Sequence, residues 1–313
     1  MTSGEQQSNG NFSRNDFSSH SFFATQMYAD FAEIKVHQIS KVARYGDEKT
    51  MYAPRIIGRQ DGETFFSPYR ATFGGFSGLG RTSVLEDITD LLRDLKEKKG
   101  VMRCQIKLAP MHLDRQFANA QLEALILLGG EINYQDLNFQ IDTYSWTEES
   151  LSKGNRKKLR QCRTEDFIVR PLLASEIKDL HDLLRINRAS LGAQISISYE
   201  RLVESVIRFG STYKLYGVFA GNVLIAGAIT VLALNESLYV YMWADNPDWR
   251  NFSPIVILFD HLVFFAQRSG VKYLDLGTAS IEGVSMDGLV RFKKNLGAFV
   301  SDKPVVSIGL GEI

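Results

Sequence analysis

The chain has 313 residues, enough for about two domains, and Lys plus Arg equal Asp plus Glu at 36 each. Zero formal net charge excludes a long-range field built for a polyanion, though a local basic patch is compatible with it. Two distant cysteines, Cys104 and Cys162, make neither a disulfide scaffold nor a zinc site and point to a reducing compartment. The most apolar stretch, residues 255–266, is short and contains Asp260 and His261, so no segment reads as a membrane span. Residues 1–20 are polar, lack a secretory-signal pattern and read as a disordered tail. The expectation is a soluble, cytoplasmic, two-lobed protein.

In chain order, a helix is predicted near 21–31. Thr50–Arg59 and Glu63–Tyr69 read as strands joined by Asp61-Gly62, a strong hairpin signal. A glycine-rich loop follows at 73–80. Leu85, Ile88, Leu91, Leu92 and Leu95 then share one helical face over 83–98, with Ser83 and Glu86 in a capping-box pattern and Gly100 as the stop. A strand (101–108), a helix (114–128) and a strand (131–141) complete this half. Residues 151–160 form a basic run after Glu148-Glu149 and read as a solvated helix between the lobes. The second half reads as a strand (167–172), helices (175–189 and 199–209) and three closely spaced strands (213–220, 223–234 and 237–244). A long apolar helix (253–269), a strand (272–277), a helix (287–296) and a strand (305–310) finish it. The first half looks like a shortened version of the same plan. The fold class is α/β with mixed sheets.

Strong motifs are missing. There is no G-x-x-x-x-G-K-[ST] loop, the glycines at 74–80 do not fit G-x-G-x-x-G, and Gly75 to Gly78 miss the G-x-S-x-G elbow by one position. The five histidines have no metal spacing, so no metal is expected, and His261 reads as a packed core residue.

Two segments stand out. Tyr273-Leu274-Asp275-Leu276-Gly277 is followed by a helix carrying Phe292-Lys293 and reaching Gly297, an F-K-x-x-x-G pattern. The other is the basic run 151–160. With the Asn251-Phe252-Ser253-Pro254 entry into the long helix, they resemble the Fem-type peptidoglycan aminoacyltransferases and the wider GNAT-like acyltransferases. That resemblance implies tandem GNAT-like lobes: a degenerate lobe over 21–145 and a donor-binding lobe over 146–313. It implies acyl-group transfer from acyl-CoA, or an aminoacyl group from transfer RNA, to an amine or hydroxyl of a cell-envelope or polysaccharide precursor. Transfer RNA is the less favoured donor, because the chain has no charged helical-hairpin insertion and no net basic charge.

The residues support a site of that kind on physical grounds. A helix N-terminus offers unpaired N–H groups and a positive dipole end, so Asn251, Phe252 and Ser253, with Arg250 beside them, are candidates for holding a diphosphate. The glycines of the R-x-x-G-x-G/A phosphate signature are replaced by Ser253 and Ile255. That departure keeps a second reading open, a non-catalytic GNAT-like binding or scaffold protein. Lys293 is either a solvated helix lysine or, by resemblance, a group that holds a substrate anion or stabilises transition-state charge. Tyr239, Tyr241 and Trp243 alternate on one strand and form either a packed face or a wall of the acyl pocket. Backbone N–H groups around Tyr241–Ala244 are expected to stabilise the oxyanion. Asp245, Asp275 or a water is the candidate base. Phe292 is expected to pack inward with Lys293 reaching out. Tyr69 and Arg70, with Gly74, Gly75 and Gly78, make either a turn or a cleft lining. Arg156 and its basic neighbours form a solvated face, a contact for an anionic substrate, or part of a nucleic-acid module over 153–163. The strand at 237–244 should splay from that at 272–277, so that a donor can insert.

Overall fold

The computed structural model describes residues 28, 31–32, 35–45, 48–69, 71–113, 115–234 and 236–313. The expected tail and most of the helix expected over 21–31 lie outside the described residues. The chain forms two compact units, residues 1–133 with 305–313, and residues 134–304. The division lies at 133/134 rather than at the 145/146 expected from the sequence, and the second lobe does not extend to the end of the chain. The last nine residues belong instead to the first unit, because Val305–Gly309 pairs antiparallel with a first-unit strand, Arg103–Lys107.

In the first unit, β1 (Lys35–Gln38) pairs with β4 (Arg55–Asp61), and β2 (Lys41–Tyr45) and β3 (Glu48–Tyr52) form a separate hairpin. The single strand expected over 50–59 is thus two. Pro54 has no N–H for a ladder and divides them. β4 turns at Gly62-Glu63 into β5 (Thr64–Ser67), as Asp61-Gly62 predicts, and carries the short β6 (Phe76–Ser77) beside it. β5 pairs in parallel with β7 (Arg103–Lys107). Helix α1 (Val84–Lys99) buries Ile88, Leu91, Leu92 and Leu95 against Ile56, Phe65, Cys104, Ile106 and, from helix α2 (Arg115–Leu127), Phe117 and Leu125. The Ser83–Glu86 capping box does not form. Ser83 Oγ donates instead to Asp87, which also accepts the Gly80 N–H and the Tyr52 hydroxyl.

The second unit is a mixed sheet in the order β8 (Glu131–Asp142), β13 (Tyr273–Thr278), β12 (Ser237–Asp245), β11 (Val223–Leu234), β10 (Tyr213–Ala220) and β9 (Phe167–Pro171). All its neighbours are antiparallel except β12 and β13. The apolar helix α6 (Pro254–Arg268) covers one face, packing Val256, Leu258, Phe259, Leu262 and Val263 on Ile225, Ala228, Leu238 and Leu274. The basic run forms helix α3 (Lys153–Thr164), capped by Ser152, with Leu159 and Cys162 in the same core. It is therefore a packed helix of the second unit, against α6. Helices α4 (Ile177–Ser190) and α5 (Tyr199–Arg208) follow β9, and α7 (Asp287–Asn295) follows β13. The strand expected at 305–310 is longer, β16 (Phe299–Gly309), and two short strands, β14 (Ser280–Ile281) and β15 (Val284–Ser285), form a hairpin that the periodicity did not show.

His261 packs against Tyr216, and burial lowers its pKa, as a core histidine requires. Cys104 and Cys162 are free and buried, and burial pushes both thiols well above their ordinary range. No helix among the described residues is long and apolar enough to cross a membrane.

Candidate functional site

β12 and β13 run in parallel for only three residue pairs, Ser237↔Tyr273, Leu238↔Leu274 and Tyr239↔Asp275. β12 continues to Asp245 and β13 to Thr278 without pairing to each other. The sheet is open there, as the sequence reading expected. Both strands carry an irregularity where they part. On β12, Val240 faces Thr230 and Met242 faces Ile229, so Tyr241 is an extra, bulged residue. On β13, pairing with β8 shifts between Asp275 and Thr278. Bulges bend a strand and strengthen its twist, which separates neighbouring strands and re-aims backbone groups.

Gly277 sits in the β13 irregularity at φ +74°, and a side chain there would approach the Tyr239 ring at 3.3 Å. Only glycine takes that backbone without strain. The glycine closing the F-K-x-x-x-G pattern has an equally local cause. Gly297 follows α7 at φ +83°, and a Cβ would lie 2.8 Å from that of Ser150. The end of α7 is further tied to the start of α3, since Asn295 O accepts both the Ser152 N–H and the Asn155 amide, and Leu296 O accepts the Trp146 indole.

The aromatic residues expected at the site come together around the opening. The Tyr239 and Tyr241 ring centroids are 6.2 Å apart, and Trp243 meets Phe292 edge-on at 5.6 Å. Phe292 is half-buried, in keeping with an inward-packing residue. Lys293 is not where the sequence placed it. It is 2% exposed, and its Nζ donates to the Gly277 carbonyl at 2.9 Å and the Thr278 carbonyl at 2.7 Å. It therefore clamps the segment where β13 departs from β12. Burial pulls its pKa down to about 7, against the attraction of Asp275 and with repulsion from Lys303. The helix turns Lys293 inward because it lies on the face that also carries Leu296, one turn on.

Asp275 is equally buried, and its Oδ1 accepts the Asn138 amide and the Gly277 N–H, each at 2.8 Å. As placed, this carboxylate organises the turn. Asn138 and Gln140, two residues apart on β8, were missed by the sequence reading. Their N-x-Q spacing on a strand was the available signal, since it puts both on one face.

Arg250 is engaged on two sides. Its Nε donates to Asp245 Oδ1 at 3.2 Å, and its terminal nitrogen donates to the Ser190 hydroxyl at 3.1 Å. Asp245 also accepts from Asn187 of α4. The loop after it is tightly wound: the Phe252 and Ser253 N–H groups bond to the Trp249 and Arg250 carbonyls. Ser253 takes a left-handed conformation at φ 57°, and Pro254 at the first helical position has no N–H. Among the described residues, the Asn251 and Ile255 N–H groups have no backbone acceptor, and Asn251's carbonyl accepts from Lys158.

Other expected residues lie elsewhere. Arg156 lines a shallow surface depression with Glu148, Glu149, Lys153 and Arg160. Arg163 is paired with Glu148 and Asp260, so this region carries both signs of charge. Tyr69 belongs to the first unit and accepts a hydrogen bond from Arg59, whose guanidinium also lies over its ring. Arg70 lies outside the described residues.

Residues 150–294 match the family model of the acetyltransferase (GNAT) domain. No curated protein sequence matches the chain. Among solved structures it is similar to FemX, with 13% identity, a TM-score of 0.69 and 91% of each chain covered. It is also similar to the C-terminal domain of a putative lysylphosphatidylglycerol synthetase from Agrobacterium fabrum, at 12% identity and TM-score 0.56, covering 87% of this chain and 84% of that one. L-PGS from Bacillus licheniformis gives 12% identity and TM-score 0.56, with 88% and 85% covered. The open parallel pair, the apolar helix behind it and these matches agree: the chain has a mixed α/β fold similar to that of FemX, and its residues 150–294 match the acetyltransferase (GNAT) domain model.

Proposed function

We propose that the protein is an acyltransferase whose donor inserts its acyl end between β12 and β13. The observation that carries this reading is the opening beyond Tyr239 and Asp275, flanked by an irregularity on each strand. An open strand edge offers unpaired N–H and C=O groups to an extended ligand. The acceptor amine or hydroxyl attacks the donor carbonyl directly, an N–H of the bulged β12 segment between Tyr241 and Ala244 holds the developing oxyanion, and its collapse breaks the donor's C–S or C–O bond, the thiol or tRNA hydroxyl leaving with the acceptor's proton. Tyr241, Trp243 and Phe292 wall the acyl group. Lys293 and Asp275 keep the Gly277–Thr278 turn away from β12. Asp245 stands at the end of β12 as a candidate base, oriented by Asn187 and Arg250. The acceptor belongs, on this reading, to a cell-envelope or polysaccharide precursor.

Acyl-CoA is the donor that the GNAT domain suggests. A second reading, aminoacyl-tRNA, is favoured by the loop at 246–253, whose wound backbone leaves few N–H groups for a diphosphate. FemX and the lysylphosphatidylglycerol synthetases, the proteins similar in fold, are consistent with an aminoacyl donor. Thermal shift separates the two. Acetyl-CoA at 100 times its dissociation constant adds about 2.7 kcal/mol of stability. A shift with acetyl-CoA supports the first donor. A shift only with charged transfer RNA supports the second, and none with either sinks the acyl-transfer reading.

Arg250→Ala is expected to raise the donor KM about tenfold with kcat nearly unchanged, because it removes a cation beside the loop while Asn187 still holds Asp245 and the bulge is untouched. An unchanged KM removes Arg250 from the donor site.

A further inference from the structure

We infer that the first unit contains a binding site for an oxyanion, a carboxylate or a phosphate, formed by Arg55 with Ser77 and Gln38. The three are direct partners across β6, β4 and β1, since Arg55 faces Ser77 on one side and Gln38 on the other. Directly opposed residues on antiparallel strands point to the same face, so a guanidinium, a hydroxyl and an amide form one polar row. The neighbouring row, Phe76, Ile56 and His37, points the other way, with Ile56 and Phe76 in the core.

Two donors of the row, on adjacent strands, lack a protein partner. Arg55 Nε and Ser77 Oγ are both buried without a hydrogen-bond partner. Ser77 is 5% exposed, and Ile57, two residues along β4 from Arg55 and on the same face, is 1% exposed, whereas Arg55 is half-buried and Gln38 is exposed, so the row is buried at Ser77 and reaches solvent at Gln38. Burial lowers the Arg55 pKa, and no carboxylate offsets that cost. Elsewhere in this unit, Lys41 bridges Glu86, Asp87 and Asp90, and Lys98 pairs with Asp94.

A partly buried guanidinium without a counter-charge is costly in a folded protein, and so is a buried hydroxyl without a partner. One ligand resolves both. Its oxygens would accept from the planar guanidinium fork and from the adjacent hydroxyl, the geometry by which arginine recognises carboxylates and phosphates. An apolar ligand would leave both groups unsatisfied, and a cation would be repelled. The site lies wholly within the first unit and does not depend on the acyl-transfer reading.

The test is a melting experiment on the full chain with inorganic phosphate or citrate, each against sodium chloride of matched ionic strength, for the wild type, Arg55→Met and Ser77→Ala. One of the two anions is expected to raise the wild-type melting temperature by about 3 °C or more at saturation. The gain should vanish in Arg55→Met and shrink in Ser77→Ala. Whichever probe acts identifies the class, phosphate or carboxylate. Without either anion, Arg55→Met should melt at or above the wild type, because it removes an uncompensated charge while keeping apolar bulk. The proposal is overturned if neither anion shifts the wild type, or if both proteins shift equally. It is also overturned if Arg55→Met unfolds or melts well below the wild type, since the guanidinium would then be satisfied within the fold.

Discussion

Tyr241→Pro is expected to lower kcat by about 10²–10³ while the fold persists, the loss typical of removing one oxyanion donor. The reasoning starts from the register. Val240 and Met242 hold successive positions against Thr230 and Ile229, so Tyr241 has no partner of its own on β11. Proline is tolerated at bulges because the regular ladder is already broken there. The substitution removes one N–H and stiffens the bulge, yet leaves the pairs on either side in place. It also removes a half-buried ring that lies 6.2 Å from Tyr239, so Tyr241→Ala is the necessary companion. If the backbone does the chemistry, the alanine variant turns over within about tenfold of the wild type and the proline variant falls well below it. Equal rates for the two would move the oxyanion donor off this residue. A large loss in alanine alone would assign the effect to the ring. Melting curves for both variants verify that the β11–β12 ladder has survived.

The sequence carried the second unit's elements well. Their apolar runs are long, their turns short, and the strands at 213–220, 223–234 and 237–245 appear almost where periodicity put them. It also carried the opening between β12 and β13, through the resemblance to a family. It did not carry what holds the opening apart. A bulge leaves no mark on alternation, because Tyr239, Tyr241 and Trp243 read the same with or without an extra residue. The direction of Lys293 was equally hidden, since Lys293 and Lys294 adjoin in sequence and only packing decides which of them turns inward. In the first unit, β1, β2 and β3 are polar and short, and a strand made stable by its neighbours rather than by its own pattern gives little local signal. The return of the last residues to the first unit is a long-range pairing that no local reading contains. Arg55 and Ser77 were silent for the same reason: they are separated by 22 positions and meet only through register.

Lys293→Met is expected to destabilise the protein by about 2–4 kcal/mol near neutral pH, against less than about 0.5 kcal/mol for Lys294→Met. The first figure follows from the two carbonyls, Gly277 and Thr278, that lose their donor in a buried place. The second follows from the exposure of Lys294. Activity should fall with Lys293→Met by an order of magnitude or more, because the freed turn at Gly277 no longer holds β13 clear of β12. The pH dependence separates a buried lysine from a surface one. The folded pKa of Lys293 is about 7 and its ordinary value 10.5. Below pH 7 both folded and unfolded chains carry the proton, and the burial penalty is fully present. Between pH 7 and pH 10.5 the unfolded chain binds more protons than the folded one, so this group makes stability rise with pH, by at most about 1.4 kcal/mol per unit. The methionine variant lacks that slope. Urea unfolding at pH 6, 7.5 and 9 should therefore show the gap between wild type and Lys293→Met widening with pH, while the gap for Lys294→Met stays flat. A Lys293→Met protein as stable as the wild type at all three would mean that Nζ does not clamp the turn, and the account of how the opening is held would fail with it.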